Sequence, residues 1–295
     1  MIYLYWKYFT ISKRQRLKYR EGDSSMKPQT ISEQLMFNTV KLVASDGSSG
    51  TGFFYNFKTN GKVYPTIITN KHVVNNNPNE RMTFLLHLRD DDGGTTENYG
   101  VTYSTTWIFH STKDLCFCFV NPVIEQVKKD TGKSVFYIPN DDSVVATKQK
   151  LDELSALEEL VMVGYPIGLW DAQNNFPIFR KGFTASHPAF DFNKKGIGLV
   201  DMACFPGSSG SPIYILNENG YVDKNGNHYL GRSRIILVGI LYAGPQYNAQ
   251  GDLVVTTIPT QQKVQTSTPI MTNLGYYVKA TELKEFEDYI SQNIK

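Results

Sequence analysis

From Phe37 onward the sequence is written in short runs of strand-forming residues, each closed by a turn signature, and this pattern confines the chain to a β-rich fold with many turns. Residues 39–44 read as a strand and Asp46-Gly47-Ser48-Ser49-Gly50 as the turn after it. Residues 52–56 pair back, Asn60-Gly61 turns again, and 64–69 form a third strand. A fourth, 81–88, ends at Asp90-Asp91-Asp92-Gly93-Gly94, and strands near 102–109 and 115–120 complete a first block. A second block holds 160–164, 178–186, 198–201, 211–216 and 235–243. Between the blocks, Val123, Val127, Leu151, Leu154 and Leu157 sit among Lys, Glu and Gln as helical pieces. Leu283, Phe286, Ile290 and Ile294 fall on one face of a closing helix over 282–294, with Thr281 as its N-cap. The expected organisation is a basic extension over 1–35, a β unit over 36–120, a linker over 121–157, a second β unit over 158–280 and a helix over 281–295.

Composition removes several function classes. With 41% hydrophobic and 20% charged residues the chain can bury a core, and no apolar run approaches the length of a membrane span. The net charge of +2 is unevenly placed: residues 1–25 carry +4, through Lys7, Lys13, Arg14, Arg16, Lys18 and Arg20 against two acids, which leaves −2 on 26–295. The body has no basic stripe, so no nucleic-acid partner is expected. The first residues are apolar with the positive charges behind them, the reverse of a secretory signal; the segment reads as a solvated tail, with Met26 as a second plausible start. Three cysteines make no disulfide framework and fit a reducing, cytoplasmic setting.

Three segments carry chemistry, in this order: Thr69-Asn70-Lys71-His72-Val73-Val74, Asp114-Leu115-Cys116-Phe117-Cys118-Phe119, and Gly207-Ser208-Ser209-Gly210-Ser211-Pro212. A serine hydroxyl is a weak nucleophile and needs a neighbouring base. Histidine suits that role because its ordinary pKa lies near neutrality. A carboxylate can fix the imidazole tautomer and stabilise the imidazolium. The glycines around Ser209 permit a tight turn whose amides, those of Gly207 and Ser209, can face a developing oxyanion. His72, Asp114 and Ser209 are therefore the candidate catalytic residues, with no metal or cofactor expected.

These residues resemble the trypsin/chymotrypsin-like serine peptidase superfamily, closer to bacterial HtrA-type protease domains than to digestive enzymes. Gly50-Thr51-Gly52-Phe53-Phe54 resembles the strand ahead of the family's histidine, the run from Asp201 to Pro212 resembles the approach to its nucleophile, and Val238 to Gly244 resembles the strand beside the substrate. The resemblance implies two six-stranded antiparallel β-barrels with the triad in the cleft between them, followed by the C-terminal helix, and no PDZ domain after them. It implies a protein or peptide substrate, Ala203 at the base of the S1 pocket, Gly244 along its wall, Leu241 where glutamate-specific relatives carry a histidine, and Tyr242 and Ala243 pairing with the substrate backbone. An uncharged, apolar P1 residue and an unidentified regulatory partner follow from the same likeness. Ser208 stands where trypsin-like enzymes place the aspartate that receives a new N-terminus, so activation of that type is not expected.

Other signals weigh less. The Asp90 to Asp92 run reads as a solvated turn. Asp223 to Asn227 echoes a calcium loop, but His228 and Arg234 occupy its glycine and glutamate positions. Cys116 and Cys118 alternate with Phe117 and Phe119 as a buried face, and Cys204 reads as a wall position near the site. The competing reading is a catalytically silent protease-like binding module, which has no need of all three catalytic groups.

Overall fold

A computed structural model describes residues 16–18, 25–194, 196–252 and 265–294. The basic cluster of the N-terminal segment, apart from Arg16–Lys18, falls outside these residues. The N-terminal half is one antiparallel sheet in the order Arg16–Lys18, Glu97–Ser104, Arg81–Leu88, Thr39–Val43, Ser49–Thr59, Lys62–Thr69, Cys116–Phe119 and Ile108–Phe109, with Val135–Phe136 joining Arg81–Leu88. The C-terminal half is a closed barrel: Glu159–Gly164, Ile178–Thr184, Ile197–Asp201, Leu274–Lys279, Arg234–Ala243, Pro212–Asn217 and back to the first strand.

The alternation of residues decides where each strand buries its side chains. Val40 and Leu42 turn into the N-terminal core with Ile67, Phe84, Leu86 and Trp107. Met162, Val200, Ile213, Ile215 and Val238 fill the barrel. A third cluster joins the halves: Phe53, Phe57, Ile68 and Phe117 meet Val163, Tyr214, Leu237, Val278, Phe286 and Ile290. Cys116–Phe119 is buried on both faces, its cysteines in the N-terminal core and Phe117 under the C-terminal helix. Fully burying a side chain such as Phe117 contributes roughly 2–3 kcal/mol. Both halves are thereby locked to one interface.

Several sequence expectations are corrected. Among the described residues one six-stranded barrel closes, and the N-terminal strands form a sheet with two ends. The expected strand over 102–109 is broken: the Trp107 amide donates to the Pro78 carbonyl at 2.7 Å, and Ile108–Phe109 pairs with Cys116–Phe119 at the end of the sheet among the described residues. The free edge of Glu97–Ser104 is taken instead by Arg16–Lys18. Within the expected linker lie the helices Asn121–Thr131 and Lys148–Asp152, but also Val135–Phe136, which belongs to the sheet. Thr281 does not cap the last helix; it lies in the 3-10 turn Ala280–Leu283 that leads into Lys284–Asn293. The rejected calcium-like segment is the tip of a short hairpin, Gly220–Val222 with His228–Leu230, where the Asp223 carboxylate accepts from the amides of Asn225 and Asn227 at 2.9 Å each. No helix among the described residues is long and apolar enough to cross a membrane.

Candidate active site

His72 stands in the 3-10 turn His72–Val74 that ends the strand Lys62–Thr69. Val73 and Val74 are buried and anchor the turn; the bare backbone of Gly50 makes room for Val73, since a Cβ there would lie 2.7 Å from its methyls. Asp114 closes the turn between Ile108–Phe109 and Cys116–Phe119. The His110 amide donates to the Leu115 carbonyl at 3.0 Å, and the Asn70 side chain donates to the Asp114 carbonyl at 2.7 Å. These ties bring His72 Nδ1 to 2.6 Å from Asp114 Oδ2, while the His72 amide lies 3.3 Å from Oδ1. An ionised carboxylate only accepts, so Nδ1 carries the proton and Nε2 keeps its lone pair. The side chains of His72 and Asp114 are 40% and 28% exposed, which leaves the pair reachable from solvent.

The Asp114 turn is braced from the far end of the chain. The buried His110 accepts from the amides of Thr112 and Lys113 through Nδ1, at 3.2 and 3.1 Å. Its Nε2 faces Glu285 and Glu282 of the C-terminal region at 3.3 and 3.5 Å. Glu285 also accepts from the Ser111 amide and hydroxyl at 2.6 and 2.8 Å. Burial lowers the His110 pKa, against the opposing pull of Glu285.

Ser209 sits half-buried in the turn before Pro212–Asn217. Gly207 and Gly210 both hold φ of +84°, a left-handed conformation that side chains disfavour. The amides of Ser208, Gly210 and Ser211 donate to Phe205, Leu241 and Ser208 carbonyls at 3.0, 2.9 and 3.0 Å. Those of Gly207 and Ser209 meet no protein acceptor among the described residues. The turn is fastened to the other half through Thr51. Its amide donates to the Ser209 carbonyl at 2.9 Å and its hydroxyl to the Gly207 carbonyl at 3.1 Å. The same hydroxyl accepts from the Tyr165 amide at 3.0 Å and from the Ser211 hydroxyl at 3.2 Å. Thr69, three residues before His72, donates to the Thr51 carbonyl at 2.7 Å. Thr51 thus links the Ser209 turn to the strand that leads into His72. The Ser208 hydroxyl is buried without a partner among the described residues, a neutral group at the position where the resemblance would place an activating acid.

Residues 50–222, more than half of the chain, match the sequence model of the trypsin-like peptidase domain. The chain belongs to this family. A comparison with curated proteins finds no match. Among solved structures, a thermostable serine protease, AL20, from an extremophilic microorganism is similar over 88% of this chain and 99% of its own, at 12% identity and a TM-score of 0.44. Two scabies mite inactivated protease paralogues are also similar. S-I1 is similar over 88% of this chain and 97% of its own, at 10% identity and a TM-score of 0.41. S-D1 is similar over 92% of this chain and 99% of its own, at 11% identity and a TM-score of 0.42.

Within this trypsin-like domain the proposed substrate residues lie as follows. The strand Arg234–Ala243 is bonded to the Ser209 turn, with the Leu241 amide donating to the Ser211 carbonyl at 3.0 Å, and it bulges between Leu241 and Ala243. Tyr242, Ala243 and Gly244 are half-buried at its end. Ala203 is half-buried, and the Arg180 guanidinium donates to its carbonyl at 2.8 Å while stacking 4.7 Å from the Phe205 ring centroid. Burial raises the Cys204 thiol to about 11, with Arg180 opposing, so this sulfur is no ready nucleophile. Sequence reasoning missed Arg180, Thr51 and His110. Their only signals were an inward position on an alternating strand, a threonine between two glycines and a histidine near the aspartate.

Proposed function

We propose that the chain is a serine endopeptidase. Ser209 Oγ attacks the scissile carbonyl while His72 Nε2 takes its proton. The imidazolium, held by Asp114, then returns the proton to the leaving amine, and water repeats the sequence on the acyl-enzyme. The Gly207 and Ser209 amides receive the oxyanion, a single such donor being worth about 3 kcal/mol. The observation that carries this reading is the 2.6 Å His72–Asp114 contact in a chain of the trypsin-like peptidase family. The free amides of the Ser209 turn support it.

The substrate on this reading is an extended peptide pairing with residues 242–244, a strand-addition mode. Ala203 and Gly244 offer an apolar wall for P1. Arg180, at the Ala203 carbonyl, is a cation close enough to favour an acidic P1 instead, and a peptide library separates the two. Three free, buried cysteines favour a reducing, cytoplasmic setting. The test of the catalytic reading is a phosphonate probe with casein as substrate. The wild-type protein is expected to be labelled once, at Ser209, and to cleave casein; Ser209→Ala is expected to do neither. Absence of labelling and cleavage by the wild type would leave a silent binding module.

A further inference from the structure

Lys41 stands in the middle of the strand Thr39–Val43, yet it is 4% exposed. Its ammonium donates to the Gly168 carbonyl at 3.1 Å and lies 2.9 Å from the centroid of the Trp170 ring. Both contacts belong to the loop that follows the strand Glu159–Gly164. That loop is the floor beneath the Gly207 turn: the Ile167 amide donates to the Pro206 carbonyl at 2.5 Å, and the Tyr165 amide shares the Thr51 hydroxyl with the Gly207 carbonyl. A Cβ on Gly207 would lie 2.7 Å from the Tyr165 carbonyl and 3.1–3.2 Å from the amides of Ile167 and Gly168. The loop is strained, with exposed Ile167 at φ +51°, and such a conformation persists only when its surroundings fix it.

We propose that Lys41 is a positioning residue for the oxyanion-binding turn: its Nζ, seated on the Gly168 carbonyl and the Trp170 ring, clamps the 165–170 loop against Gly207. This rests on the peptidase reading above. No carboxylate shares the task. Lys41 forms no ion pair among the described residues, and its cross-strand neighbours are Thr51 and Leu85. Asp171 accepts from Gln173 and Asn174, and Glu159 is paired with Lys181. Burial pushes the Lys41 pKa down to about 7, so the seat favours the neutral amine, which still donates to the Gly168 carbonyl, and the clamp tightens as pH rises through 7.

Hydrogen exchange tests the clamp without reference to activity. At pH 8, where the amine is neutral and its burial cost has faded, Lys41→Met is expected to speed exchange in peptides covering 165–170 and 205–210 about tenfold, the equivalent of 1.4 kcal/mol. Unchanged exchange over 205–210 overturns the proposal. In the active enzyme at pH 8, Lys41→Met is expected to lower kcat about tenfold with KM little changed. A wild-type kcat in Lys41→Met at pH 8 also overturns it. A wild type that takes no phosphonate label refutes the peptidase reading alone, and the exchange result still judges the clamp.

Discussion

Burying Lys41 has a cost that pH reveals. An exposed lysine titrates at 10.5; this one titrates at about 7, chiefly because burial penalises the ammonium. Between those values the unfolded chain holds a proton that the folded chain has lost, so stability rises with pH across this window. The cost is complete below pH 7 and fades towards pH 10.5. Each pKa unit corresponds to 1.36 kcal/mol, which sets a ceiling of about 5 kcal/mol. The Trp170 ring and the Gly168 carbonyl offset part of it, at about 1 kcal/mol each. Lys41→Met keeps the length of the side chain and discards the charge. From pH 7 to 8.5 the wild type is therefore expected to gain about 1–2 kcal/mol relative to the variant, with the variant the more stable at pH 6. Urea unfolding of both proteins at pH 6, 7 and 8.5 measures this, and groups common to both cancel in the difference. Parallel stability curves would refute the reasoning.

Thr51→Val leaves the Tyr165 amide and the Ser211 hydroxyl without their shared acceptor. A loss of about 1–3 kcal/mol in thermal or chemical unfolding is expected. Gly210→Ala forces a side chain into a φ of +84° and against the Thr51 carbonyl, so it should cost more than about 2 kcal/mol and depress expression of folded protein. The His110 pKa is lowered by burial, so stability should fall as pH drops below the ordinary histidine value and the Nδ1 acceptor is lost. His110→Gln, whose carbonyl oxygen does not titrate, should flatten that acid limb relative to the wild type in unfolding curves from pH 4 to 6.5.

The legible parts of the molecule are those written locally. Val40 and Leu42 alternate into one core, and the phase of Phe286 and Ile290 sets the buried face of the last helix, because period and burial coincide there. His72, Asp114 and Ser209 each came with neighbours that single them out as candidates, and the structure brings the first two into contact. Illegible were the contacts made across the chain. Lys41 alternates with Val40 and Leu42 and so reads as a solvated lysine; it is covered by a loop 127 residues further on. Thr51 reads as part of a glycine-rich strand, and nothing near it in sequence announces Tyr165, Gly207 or Ser211. The break at Trp107 escaped for the same reason, since the Pro78 carbonyl that holds it lies on another loop.

The Thr51 linkage also has a consequence for the order of events during synthesis. On the peptidase reading, the half that leaves the ribosome first carries His72 and Asp114, while Ser209 and its amides arrive about a hundred residues later. Until the Ser209 turn docks onto Thr51, neither half holds a complete set of reacting groups. A nascent or partly unfolded chain is then inert towards its neighbours and towards itself. Cutting power would appear only once the two halves dock, so the joint between them serves as a safety interlock.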